Sequence, residues 1–244
     1  MKDLVSLVLL VMTLACNHAI ASGRVPAFKI EALADDVFLH TSYRDIKGYG
    51  VLDSNGLIVI DGDAAYLVDT PWSEEDTARL LAWLTQRGYE LKASVSTHWH
   101  DDRTAGIGLL NSKKIPTYAS RLTNRVLREK ELPLATHVFD SEVFTLLEDR
   151  IELFYPGPGH SEDNIVAWLP RQKLLFGGCL LRAMGWKSAG NLSDANLGEW
   201  GNSIRRIENR YPEIHLVVPG HGEPGREQMM EHTFSIVTAA SKKR

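Results

Sequence analysis

Apolar and polar residues change their spacing several times along the chain, and each change marks an element. Lys29-Ile30-Glu31-Ala32-Leu33 and Val37-Phe38-Leu39-His40 predict strands between Phe28 and Thr41, turning at Asp35-Asp36. Gly56-Leu57-Ile58-Val59-Ile60-Asp61 and Ala65-Tyr66-Leu67-Val68-Asp69 read as two apolar strands with a turn at Asp61-Gly62-Asp63. Ser73 then opens a helix whose first turn holds Glu74, Glu75 and Asp76, where the helix dipole favours acid. Leu80, Leu81 and Leu84 form its buried stripe and Gly88 stops it. A strand over 91–96 follows, then helical segments near 104–112 and 119–130 around a strand at 115–118. The second half repeats the order. Strands are expected at 143–146, 151–155, 165–169 and 173–176, and a helix over 195–211 places Leu197, Trp200, Ile204, Ile207 and Tyr211 on one face. A strand over 215–218 and an amphipathic helix over 226–240 complete the chain. Gly201 inside the helix costs about 1 kcal/mol of propensity, and the sequence offers no reason for it.

Two polar stretches interrupt this pattern. Tyr43 to Gly56 carries Gly48, Gly50 and Gly56 and reads as a mobile loop or a long hairpin tip, with Tyr49 as the aromatic of a flap that closes over a substrate. Residues 182–193 form a second polar loop. Two sheet-plus-helix halves of this kind predict an α/β fold packed sheet on sheet with helices outside.

The N-terminus reads as an export signal. Lys2 precedes the apolar run Leu4 to Ala15, and Ala19-Ile20-Ala21 fits a small-x-small cleavage site. Residues 1–21 are therefore expected to be removed, leaving 22–244 as one exported domain. The apolar run is too short to span a membrane. A lipoprotein anchored through Cys16 is the alternative, although Thr13-Leu14-Ala15 is a poor match to a lipobox. Lys2 and Asp3 leave together, so the formal net charge stays at −4, and no basic stripe suggests a nucleic-acid partner. The mature chain then keeps one cysteine, Cys179, which cannot form an internal disulfide in an oxidising compartment.

Cys179 belongs to a set. Four predicted strand ends deliver metal-type side chains: His98, His100 and Asp102; His160; Cys179; and His221. In an extended chain residues two apart share a face, so His98 and His100 can converge on one ion, and the ligands are expected in the loop rather than in the helix that follows. Sorted by chemistry, His98, His100 and His160 form an all-imidazole site of the kind that leaves a position open for water. Asp102, Cys179 and His221 form a mixed oxygen, sulfur and nitrogen site in which thiolate favours zinc. Two zinc ions a few ångströms apart could share a bridging hydroxide. His40, His137, His215 and His232 lack such a setting and read as surface or core histidines.

His98-x-His100-x-Asp102, Gly159-His160, Gly177-Gly178-Cys179 and Pro219-Gly220-His221-Gly222 together resemble the metallo-β-lactamases of subclass B1 over essentially the whole mature chain. The resemblance implies a four-layer αββα sandwich, two mixed β-sheets flanked by helices, with two Zn2+ per chain. It implies hydrolysis of the β-lactam amide of penicillins, cephalosporins and carbapenems, hence antibiotic resistance. Zinc-bound hydroxide would be the nucleophile, with no acyl-enzyme. By position, Asp102 and Asn191 would be catalytic, Asn191 lying near the lactam carbonyl. Arg182 stands where many members carry lysine and would grip the substrate carboxylate, with Lys187 sharing the task. Tyr49 would sit in the flap, Trp72 on the pocket floor, and Arg103 and Asp69 behind the ligands. The enzyme is expected to be a monomer. A thioesterase of the same superfamily would carry His at 103 and a bridging Asp at 179; a nuclease is disfavoured on the same residues and by the export signal. A non-catalytic zinc protein would need neither an open three-histidine site nor a flap.

Overall fold

The computed structural model describes residues 25–243, so the export signal, its cleavage site and Cys16 lie outside the described residues. In chain order the first half runs β1 (Lys29–Ala34), β2 (Val37–Ile46), β3 (Gly50–Asp61), β4 (Ala64–Val68), α1 (Glu74–Gln86), β5 (Glu90–Val95), α2 (Asp101–Thr104), α3 (Ile107–Ser112), β6 (Thr117–Ser120), α4 (Arg121–Glu129) and β7 (His137–Phe139). The second half runs β8 (Val143–Leu147), β9 (Ile151–Phe154), β10 (Val166–Leu169), β11 (Leu174–Gly178), α5 (Leu197–Arg210), β12 (Leu216–Pro219) and α6 (Gln228–Ser241). One sheet has seven strands in the order β1 to β7 and the other five in the order β12-β11-β10-β9-β8. Both are mixed: β1–β4 pair antiparallel and β4–β7 parallel, while β12 runs parallel to β11 in an otherwise antiparallel sheet.

The strand period of two decides the layering. On β3, Leu57 and Val59 turn toward the second sheet, where they meet Leu153, Ala167, Leu174 and Phe176. Ile58 and Ile60 turn the other way and pack with Leu80, Leu84 and Leu110 of α1 and α3. The outer face of the second sheet places Val166, Leu175 and Val217 against Trp200, Ile204 and Ile207 of α5 and Met230 and Val237 of α6. Three apolar layers thus lie between four layers of structure, which is the αββα sandwich. The packing of α6 on α5 also explains Gly201. A Cβ there would lie 3.0 Å from Cε2 of Phe234, so glycine lets α6 pack closely on α5, and that contact offsets the propensity cost.

The structure sharpens three local points. Of the two readings of the polar stretch 43–56 it takes the long hairpin, with β2 and β3 in register from Val37↔Val59 to Ile46↔Gly50, so only a tight turn carries Tyr49. Its polar residues hid the strand because Ser42, Ser54 and Asn55 are buried for their hydrogen bonds. The expected helix over 104–112 is two short helices, and the first begins at Asp101, so Asp102 lies in a helical turn rather than in the loop. The three-residue strand β7, bonded in parallel to β6, was too short to leave a period in the sequence.

His40 shows how a polar residue inside β2 is accommodated. It is 1 % exposed, and its Nε2 faces the Asp69 carbonyl at 3.0 Å, while Nδ1 is buried without a partner. Burial pushes this imidazole down to about 3 from its ordinary 6.5. The unfolded chain therefore takes up the proton first as pH falls. The stability His40 contributes is complete above about pH 6.5 and is lost progressively toward pH 3. Between about pH 7.5 and pH 4.5 the loss should be about 3 kcal/mol. Urea titrations of the protein and of His40→Gln at both pH values should differ by that amount in their pH dependence; parallel behaviour of the two would show that His40 is not the group being titrated.

Candidate metal centre

Four strands open onto one edge of the sandwich at their C-terminal ends, the expected place for an α/β site. β5 leads into Ser96–His100, β9 into the loop with His160, β11 directly into Cys179 and β12 into Gly220-His221. Asn55 of β3 ties this edge together. Its Nδ2 donates to the carbonyls of Pro219 at 3.1 Å and Gly222 at 2.7 Å, and its backbone N donates to the Gly220 carbonyl at 2.9 Å. Gly220 is required by crowding, since a Cβ would lie 2.7 Å from Nη2 of Arg103 and 2.8 Å from Sγ of Cys179.

The six residues assemble as two triads. Nε2 of His98 and Nε2 of His160 lie 3.0 and 3.1 Å from Nδ1 of His100. Beside them, Oδ2 of Asp102, Sγ of Cys179 and Nε2 of His221 lie 3.2 to 3.4 Å from one another. His98, Asp102 and Cys179 are also within ligating distance as a group. The protonation states suit cation ligands. Burial, reinforced by neighbouring cationic and imidazole groups, holds His98 and His160 well below the ordinary histidine range, so both present lone pairs. Burial opposes the charge on Asp102, yet Arg103 and His221 keep its carboxyl well below the usual range. Burial lowers His221 as well, but Cys179 and Asp102 outweigh it and push the imidazole up to about 10. A cation seated among these three would take over that neutralising role and release the proton. Three imidazole nitrogens beside an oxygen, sulfur and nitrogen set fit zinc by donor chemistry.

Behind the triads lies a buried electrostatic layer. Arg103 is fully buried. Its Nη2 meets Oδ2 of Asp102 at 2.7 Å and donates to Sγ of Cys179 at 3.2 Å and to the Gly220 carbonyl at 2.9 Å, while Nη1 reaches Oδ2 of Asp69 at 3.4 Å. Burial works against that charge, but Asp102, Cys179 and Asp69 hold the guanidinium above its ordinary pKa. Asp69 accepts from the backbone N and Oγ1 of Thr97 at 2.6 and 2.8 Å, which anchors the residue next to His98. Two carboxylates absent from the sequence reading take part. Asp194 accepts at Oδ2 from Nε2 of His100 at 3.1 Å, and Asp53 holds the His221 loop through its carbonyl at Nδ1 and its carboxylate at the Gly222 N–H. The one available signal was Asp194 itself, an acid three residues after Asn191. Asp53 was hidden in the polar stretch read as a mobile loop or a hairpin tip.

The metallo-β-lactamase superfamily model matches residues 49–221. The chain belongs to that superfamily. It is 44 % identical over 219 residues to a metallo-β-lactamase type 2 of Pseudomonas aeruginosa, covering 90 % of this chain and 88 % of the relative. It is 38 % identical over 213 residues to a metallo-β-lactamase type 2 of Bacteroides fragilis, covering 85 % and 84 %. The crystal structure of DIM-1 metallo-β-lactamase exposed to ceftazidime superposes with a TM-score of 0.87 at 45 % identity, covering 89 % of this chain and 99 % of that one. TMB-1, a structure concerned with substrate and inhibitor binding, superposes with a TM-score of 0.87 at 43 % identity, covering 88 % and 99 %. Family and fold are therefore those the motifs implied, and membership carries dependence on a metal ion.

Above the triads the superfamily edge forms a cleft of about 320 Å³. Tyr49, Trp72, Arg182 and Asn191 line it with His100, Asp102, His160 and His221, and so do Leu132, Trp99 and Trp186, which the sequence reading had not placed there. Tyr49 is 58 % exposed at the tip of the β2–β3 hairpin. Trp72 is buried, donates from Nε1 to Oδ1 of Asp101 at 2.9 Å, and stands 5.9 Å from the His221 ring, while Trp186 stands 6.2 Å from it on another side. Lys187 does not line this cleft. It lines a neighbouring groove with Met184, Glu223 and Met229, and Trp186 borders both.

Proposed function

We propose that the chain binds two zinc ions per monomer, one held by His98, His100 and His160 and one by Asp102, Cys179 and His221, and hydrolyses the amide bond of penicillins, cephalosporins and carbapenems in the periplasm. The observation that carries this reading is the pair of donor triads of different chemistry, side by side at the floor of one cleft. When bound there, zinc supplies Lewis acidity and lowers the pKa of water to about 7. The protein's own groups do the rest. Asp102 orients the attacking water through its carboxylate. Asn191 has its Oδ1 engaged by the Ser193 N–H at 3.0 Å, which turns its amide N–H donors to the lactam carbonyl as negative charge develops there. Tyr49, Trp72, Trp99 and Leu132 supply an apolar wall for the fused rings and exclude water from the reacting bond. Arg182 lines the same cleft beside Gly190 and Asn191. No side chain becomes acylated. Among the described residues no helix is long and apolar enough to cross a membrane, which is compatible with export behind a cleaved signal ending at Ala21. Such an enzyme confers resistance to β-lactam antibiotics on its host.

Steady-state kinetics of the zinc-loaded protein on a penicillin, a cephalosporin, a carbapenem and a thioester tests the substrate class, and turnover of the thioester alone would move the chain to another branch. Cys179→Ser addresses the metal assignment. It should lower the zinc content from about two per chain to about one, with activity falling roughly 10- to 100-fold or more, since weakening even the partners of metal ligands has effects of that size. Two tightly held zinc ions in that variant would reject the pairing of Cys179 with the second triad.

A further inference from the structure

Arg182 does not stand free in the cleft. It is 4 % exposed, and among the described residues no carboxylate pairs with it. Its Nη2 donates to the Ala189 carbonyl. Its guanidinium carbon lies 5.5 Å from the Trp200 ring and 5.7 Å from the Trp186 ring. Its own backbone is fixed, because the Arg182 N–H donates to Oγ1 of Thr233 on α6 at 2.9 Å, and that hydroxyl donates in turn to the Met229 carbonyl at 2.7 Å. The residue after Ala189 is shaped to the same group. Gly190 has φ +75°, and a Cβ there would lie 3.2 Å from Nη2 and 3.5 Å from both Cζ and Nη1, so the guanidinium lies flat against the Gly190 backbone. The next residue is Asn191.

We infer that Arg182 is a positioning residue: its buried guanidinium pins the Ala189-Gly190 backbone to α6 and thereby holds Asn191 in place over the metal triads. The inference rests on the β-lactamase reading for the role of Asn191, and it assigns Arg182 a task other than gripping the substrate. A bidentate hold on a substrate carboxylate would need the guanidinium to become exposed, whereas it is buried, with Nη2 on the Ala189 carbonyl, Gly190 packed against it and Nε enclosed without a partner. The tie also sits midway along the loop. Trp186, whose carbonyl meets Nε2 of His232 at 3.0 Å, anchors one side, and Asp194, which meets His100, anchors the other.

The test compares Arg182→Ala, Arg182→Lys, Gly190→Ala, Asn191→Ala and the Arg182→Ala/Asn191→Ala pair in the zinc-loaded enzyme, using a cephalosporin and its methyl ester, which lacks the carboxylate. Arg182→Ala should lower kcat about 10- to 100-fold, the scale on which a small misplacement acts, with little change in KM and equally for acid and ester. The double variant should be no worse than Asn191→Ala. Lysine at 182 should restore only part of kcat, since it can reach one carbonyl but cannot lie flat under Gly190. Gly190→Ala, which disturbs the same contact from the loop side, should repeat the Arg182→Ala pattern if the arginine variant does not fold. Amide exchange at Gly190 and Asn191 should quicken in both. A loss confined to KM, absent with the ester and additive with Asn191→Ala, would overturn the inference in favour of a direct grip. Unchanged kcat and exchange would overturn it as well. Failure of the unmodified protein to hydrolyse any β-lactam would instead sink the functional reading, with the exchange measurements still deciding whether Arg182 holds the loop.

Discussion

Chelation of the metal should reduce hydrolysis of every β-lactam by at least about 10³-fold, a modest part of the roughly 10⁶-fold or greater acceleration typical of enzymes, and added zinc should restore it. Six side chains from four strand ends have their donor atoms gathered at the cleft floor, and no residue in the proposed scheme is an alternative nucleophile. The same treatment should lower thermal stability. A ligand that binds only the folded chain stabilises it by about 2.7 kcal/mol at a hundred times its Kd, and without it Asp102 and Cys179 are left with Arg103 and a protonated His221 for compensation. Dialysis against a chelator, followed by activity and melting measurements before and after zinc is returned, checks both. Full activity in protein shown by elemental analysis to be metal-free would end the proposal.

Arg103→Ala should destabilise the chelated protein by about 3–5 kcal/mol, the cost of removing one partner from a buried ion pair. The magnitude follows from what surrounds the guanidinium. Asp102 and Asp69 are both buried, and Arg103 reaches both while also capping Sγ of Cys179 and the Gly220 carbonyl. Truncation leaves two carboxylates in the core without their cation and takes one donor each from the Cys179 sulfur and the Gly220 carbonyl. Arg103→Lys should recover only part, because one ammonium cannot serve acceptors spread around a planar fork. Urea denaturation in the presence of chelator isolates this cost from metal binding. A change below about 1 kcal/mol, the scale of an exposed pair, would mean that the cluster is hydrated and that Arg103 is not its counter-charge.

Arg103 also illustrates which parts of the site can be read from sequence. Ligand chemistry is local. His98, His100 and Asp102 follow one strand, glycines flank three of the four ligand loops, and a single cysteine sits at a predicted strand end, so the six residues and their division into two triads were legible. The layer behind them was legible only by resemblance, since nothing in the spacing of Asp69 or Arg103 links them to a metal. Asp53 and Asp194 were missed for a related reason. One acts through its backbone carbonyl and a loop N–H, and the other reaches His100 across a long sequence separation. Lys187 is the opposite case. Its position near Arg182 in the chain suggested a shared task, but the turn at Ala183–Trp186 sends it into a different groove.

The sequence by itself determined the elements with a strong period, the sheet-on-sheet arrangement with helices outside, the residues able to bind metal and, through their combination, the family. Each of these depends on properties carried by a residue and its near neighbours: side-chain periodicity, donor type and glycine beside a ligand. Only the tertiary structure decided that the polar stretch before Gly56 is a paired strand, because its buried serines and asparagine satisfy groups on distant loops. It alone also decided that Trp99, Leu132 and Trp186 close the cleft, and that Arg182 lies against Gly190 and not in open solvent. Those outcomes depend on which backbone carbonyls and ring faces come within a few ångströms after the two sheets have packed, and pairings across such separations leave no mark in local sequence.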